Sequence, residues 1–69
     1  MEKVVIQVEG MSCIHCERAV NRALLELPGV ESAEASHVGK NVIVGYDGAQ
    51  VSLASMKQAI ESEGYQVVG

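Results

Sequence analysis

Tryptophan and phenylalanine are absent from the 69 residues, and Tyr46 and Tyr65 are the only aromatics. Base-stacking platforms and aromatic cages need more rings than these two supply. Basic residues are also few: five Lys and Arg against nine Asp and Glu leave a formal charge of −4 and a pI near 4.9. A chain of that sign is repelled by phosphate backbones, so nucleic acid is not an expected ligand. No apolar run approaches the ~20 residues of a membrane span, and Glu2, Lys3 and Glu9 interrupt the N-terminal stretch too early for a signal h-region. The expectation is a cytoplasmic protein with no membrane insertion. Two cysteines are too few for a disulfide scaffold, and at Cys13 and Cys16 a bridge would close only a tiny loop.

What is present is ordinary for a folded chain: 48% hydrophobic and 20% charged residues. A usual domain has ~100–200 residues, so residues 1–69 are expected to form a single domain with one small core. Such a chain buries only about 60% of its unfolded surface, so few hydrophobes are spare.

Val4, Ile6 and Val8 alternate with Lys3, Val5, Gln7 and Glu9, the period-2 pattern of a half-buried strand that ends at Gly10. From Ile14 to Leu27, Val20, Ala23, Leu24 and Leu27 recur at helical spacing, with Glu17, Arg18, Asn21, Arg22 and Glu26 lining the other side of an amphipathic helix. Leu27-Pro28-Gly29 stops the helix. Residues 30–37, with Ala33 and Ala35 inward, and then Val42, Val44 and Tyr46, read as a hairpin turning at Gly39-Lys40-Asn41. The small alanines mean either a close helix or a thin core, and Gly45 marks a bulge. Ser52 is the N-cap of a second helix, Val51 and Met56 a hydrophobic staple, Leu53, Met56 and Ile60 its inner stripe, and Gly64 its C-terminal stop. Tyr65 to Val68 supply a last strand. The order β-α-β-β-α-β predicts an α+β, ferredoxin-like sandwich: a four-stranded antiparallel sheet with two helices on one face.

Gly10-Met11-Ser12-Cys13-Ile14-His15-Cys16 joins the first strand to the first helix. A helix N-terminus carries unpaired N–H groups and a positive partial charge, which favour thiolate and lower a cysteine pKa from about 8.5. Thiolate is the form that binds metal. Two thiolates, with only His15 and the distant His37 as further strong candidates, do not make a four-ligand structural zinc site. Soft sulfur selects Cu(I), and an open two-sulfur site admits an incoming thiolate that can carry the ion away. Cys-x-x-Cys also serves dithiol redox proteins. Against that reading stand the absence of Trp, the absence of Pro inside the pair, and Pro28 as the sole proline.

Gly-Met-x-Cys-x-x-Cys between strand and helix, in a βαββαβ chain of this length, resembles the heavy-metal-associated domain family along the whole chain. Within it, Ser12-Cys13-Ile14-His15-Cys16 and Gly64-Tyr65 look like those of bacterial CopZ-type copper chaperones. The resemblance implies that Cys13 and Cys16 bind Cu(I), that Met11 packs beneath the loop, and that Tyr65 lies beside the site where eukaryotic relatives usually carry lysine. It also implies a non-enzymatic carrier whose partner is the metal-binding domain of a copper-transporting P-type ATPase. The excised N-terminal domain of such an ATPase is the alternative. Ser12 stands where zinc- and cadmium-exporting relatives often carry an acid, which favours copper; Ag(I), Hg(II) and Zn(II) are in-vitro competitors. Ala33, Ala35 and His37 depart from the larger aliphatics common in that strand.

Around the cysteines each residue has two readings. Met11 is an apolar plug or a thioether ligand. His15 is a solvated residue, or coordinates when two molecules share metal in a bridged homodimer. Tyr65 is core, or shields the thiolates and donates its hydroxyl to sulfur. Arg18 and Arg22, one turn apart, form a solvated face or guide an acidic partner. His37 is a strand-end residue without a role.

Overall fold

The computed structural model describes residues 2–68. The alternating stretch forms β1 (Glu2–Glu9), with Ile6 and Val8 buried and Val5, Gln7 and Glu9 exposed. There follow α1 (Ile14–Leu25), β2 (Val30–Ser36), β3 (Asn41–Tyr46), α2 (Leu53–Ser62) and β4 (Gln66–Val68). All strand pairs are antiparallel, in the order β2-β3-β1-β4. The register sets Val4 opposite Val44 and Ile6 opposite Val42, which stacks these side chains on one face. Val20 and Leu24 of α1 and Met56 and Ile60 of α2 join Ile6, Val8, Val42 and Val44 in one core. This is the ferredoxin-like sandwich, with both helices on one side of the sheet.

Several expectations shift by a residue or two. α1 ends at Leu25, short of Leu27, where the Leu27 N–H closes a tighter turn onto the Leu24 carbonyl at 3.0 Å. Pro28 disfavours helix at the residue before it. The hairpin turns over residues 37–40 and Asn41 already belongs to β3, with Lys40 alone among described non-glycine residues at positive φ, 55°. The bulge lies opposite Gly45: pairing steps from Val30↔Tyr46 to Ser32↔Gly45, leaving Glu31 as the extra residue on β2. β4 begins at Gln66 and excludes Tyr65.

At the start of α2 the Ser52 hydroxyl accepts from the Ser55 N–H at 3.2 Å, and Val51 and Met56 are both buried, as the staple requires. Gly64, at φ +95°, turns the chain out of the helix. Leu53 corrects the expected stripe: it is 39% exposed and lines a shallow groove with Val4, Val5 and Val68.

The polar side of α1 is not simply solvated. Asn21 Oδ1 accepts the Ala35 N–H at 2.9 Å, and Glu17 Oε2 accepts the His37 N–H at 2.7 Å and bonds His37 Nδ1 at 2.5 Å. This corrects the reading of His37 as a residue without a role. β2 is an edge strand, and Ala35 on it and His37 just beyond its end both offer their amides to α1. Amides on a sheet edge need partners, and α1 supplies them. Ala33 and Ala35 are small because the helix approaches closely there.

Candidate metal centre

The loop that carries the cysteines is shaped by two neighbours in sequence. Gly10 has φ +101°, a conformation that glycine adopts without strain, and the Tyr65 ring lies against it. Met11 then turns into the core at 7% exposure. Ser12 and Cys13 come back to the surface.

Cys13 is the N-cap residue of α1, extended at φ −159° and ψ 177°. Its carbonyl accepts from the Cys16 N–H at 3.1 Å and the Glu17 N–H at 3.3 Å, which starts the helix. Three residues on, Cys16 lies on the same face of the first turn. The two sulfurs are 3.9 Å apart, both free thiols, Cys13 exposed and Cys16 half-buried.

The donors around Cys16 decide its ionisation. The Ser12 backbone N–H contributes most, followed by the Tyr65 hydroxyl; desolvation opposes them by less than either, and the Ser12 hydroxyl and the Cys13 N–H add smaller amounts. Together they pull the Cys16 pKa from 9.0 to about 6, so the group is thiolate at neutral pH. Tyr65 shows the reciprocal effect: its bond to Cys16 and its burial push its pKa to about 12, which keeps the hydroxyl a donor. The Tyr65 ring packs against the core. The Ser12 hydroxyl lies 3.9 Å from Cys16 Sγ.

His15, Arg18 and Arg22 remain exposed on α1. Among the described residues no group of three or more His, Cys, Asp or Glu converges as a metal cage, so the sulfurs stand as a pair. What sequence reasoning missed is the Glu17–His37 contact beside Cys16; its partners lie 20 positions apart and share no motif.

A thiol-reactivity profile tests this electrostatic picture. With Cys13→Ser leaving one thiol, alkylation of Cys16 is expected to rise through pH about 6 instead of 9.0. Tyr65→Phe should move that midpoint upward. An unmoved midpoint would show that the tyrosine hydroxyl does not stabilise the thiolate.

Residues 5–66 match the model of the heavy-metal-associated domain. The chain belongs to the heavy-metal-associated domain family. It is 51% identical over 67 residues to the copper chaperone CopZ of Staphylococcus saprophyticus, covering 97% of this chain and 98% of that protein. Among solved structures, a CopZ metallochaperone superposes with a TM-score of 0.95 at 45% identity, covering 97% of this chain and all of that one. A copper-binding domain from HMA7, a P-type ATPase, also gives 0.95 at 29% identity, covering 99% of this chain and 92% of that chain. As a member of this family the domain is a metal carrier and not an enzyme. No described helix of it is long and apolar enough to cross a membrane.

The sulfur pair of this heavy-metal-associated domain suits a soft ion. Cys13 and Cys16, with sulfurs 3.9 Å apart, would hold such an ion through their thiolates, and the exposed Cys13 side would leave it open to a further ligand.

Proposed function

We propose that residues 1–69 act as one copper-binding unit, a cytoplasmic chaperone that takes up Cu(I) through Cys13 and Cys16. It hands the ion to the metal-binding domain of a copper-transporting P-type ATPase. The observation that carries this reading is the dithiol itself: two sulfurs 3.9 Å apart at an exposed loop, one of them ionised near neutral pH. Thiolate pairs favour a soft monovalent ion over the harder divalent ones. Zn(II), Ag(I) and Hg(II) are then competitors, with zinc needing two more ligands than Cys13 and Cys16 offer.

Transfer runs by thiolate exchange. A partner thiolate adds to the metal on its open side, one of the two sulfurs leaves, and the second follows, so the ion never enters water. The exposure of Cys13 supports this, because an attacking group can reach the metal beside it. Arg18 and Arg22 on the exposed face of α1 suit an acidic partner surface. Sharing of copper between two copies, with His15 at the seam, is a secondary route to a dimer that only metal would induce. The CopZ relatives support the free chaperone. The likeness to an ATPase domain supports a second reading, in which this chain is such a domain.

Anaerobic titration of the reduced protein with Cu(I) against a coloured chelator is the test. About one Cu(I) per chain is expected, the capacity of a single dithiolate. Mixing with an ATPase metal-binding domain should then move copper without exposing it to the chelator. A chain that holds no copper, yet reduces insulin disulfides, would make the pair a redox site.

A further inference from the structure

Helix starts are normally held by Ser, Thr, Asp or Asn, whose side chain takes one of the unpaired N–H groups. Here Cys13 is the N-cap and makes no side-chain capping bond, while the neighbouring Ser12 hydroxyl turns to Cys16 Sγ. The first turn of α1 sets the distance between the two sulfurs, so it must be held in another way.

Glu17, the residue after Cys16, provides the hold. Its backbone N–H reaches the Cys13 carbonyl at 3.3 Å, and its Oε2 takes the backbone N–H and the Nδ1 of His37 at 2.7 and 2.5 Å. One residue therefore ties the cysteine loop to the β2–β3 turn. The side chains are 20% exposed for Glu17 and 34% for His37, so water and salt screen the contact less than at an open surface.

We propose that Glu17, held by His37, is a positioning residue for the Cys13–Cys16 pair. It keeps the first turn of α1 wound, so that both sulfurs are presented together as a preformed chelate. The inference rests on the copper-binding reading above and adds the device that makes the site ready. Without the clamp the turn opens locally, and apparent affinity falls with the fraction of time it is wound.

The test compares the wild type with Glu17→Ala, Glu17→Gln and Asn21→Ala, each shown to be folded at the assay temperature by circular dichroism. Asn21→Ala removes the neighbouring helix-to-strand bond, to Ala35, one turn farther along. Glu17→Ala is expected to retain Cu(I) about tenfold less tightly, as a turn wound a tenth of the time would. Glu17→Gln, which keeps an acceptor for the His37 amide, should recover part of the loss. Asn21→Ala should lower the melting temperature and leave retention unchanged. Equal retention in Glu17→Ala and wild type, or an equal loss in Asn21→Ala, overturns the proposal.

A second readout separates this idea from the function itself. The Cys13–Cys16 disulfide, equilibrated against glutathione, should be about tenfold less favoured in Glu17→Ala for the same reason. If wild type holds no copper the chaperone reading falls, and an unchanged disulfide equilibrium would then overturn the positioning role by itself. Should Glu17→Ala not fold, Glu17→Gln carries both measurements, and no change in either overturns the proposal.

Discussion

Replacing Cys16 with serine is expected to weaken Cu(I) retention by about 10²–10⁴, the advantage a second tethered contact confers through effective concentration. On the proposed reading the sulfur pair would act as a chelate because the 3.9 Å separation is already built into the helix start, so the second bond would form without a search. Serine is a hard, neutral oxygen in place of a soft thiolate and does not replace it. Competition against a graded series of Cu(I) chelators measures the loss, and transfer to an ATPase metal-binding domain measures its consequence. Delivery at the wild-type rate by Cys16→Ser would sink the exchange scheme. Protons should act on the wild type in the same direction. Metal binding needs the thiolate, so retention is expected to fall as the pH drops through about 6. The apo fold responds too. The folded pKa of Cys16, about 6, lies below the ordinary 9.0, so its contribution to stability is complete above about 9 and is lost as the pH falls through 6.

Leu24→Ala should be the most damaging change outside the site. Leu24 is fully buried in α1 and belongs to the core cluster shared with Met56 and Ile60. Truncating a buried leucine costs about 2–5 kcal/mol through lost transfer energy and the cavity left behind. A chain of this size has a total stability of roughly 3–10 kcal/mol at the usual value per residue. The substitution therefore removes a large share of it. In domains this small each kcal/mol lowers the melting temperature by about 4–8 °C, so a fall of more than 8 °C is expected by circular dichroism. A loss below about 1 kcal/mol would mean that the core relaxes around the cavity far more than leucine sites usually do. Added Cu(I) should raise the variant's melting temperature, since a ligand bound only by the folded state stabilises it.

The sequence by itself determined the order of elements and the position of the cysteine pair. Both follow from local rules: alternation at Val4, Ile6 and Val8, helical spacing at Val20 and Leu24, the Ser52 cap and the Gly64 stop. Cys13 and Cys16 were legible as a dithiol at the strand-to-helix junction, because their spacing and that junction are local as well. Membership of the family could also be read from that motif in that order of elements.

Only the tertiary structure decided what surrounds the pair. It exposed Leu53 at the groove beside β4 and set Glu17 and Asn21 against the edge of β2. Hydrophobic periodicity reports which side of a helix is apolar; it does not report what a polar side chain meets. That depends on where an outer strand leaves amides without partners, and so on contacts across 14 and 20 residues. Such contacts form only once the sheet order is complete, because the packing of α1 against β2 brings the donors and acceptors within reach of one another.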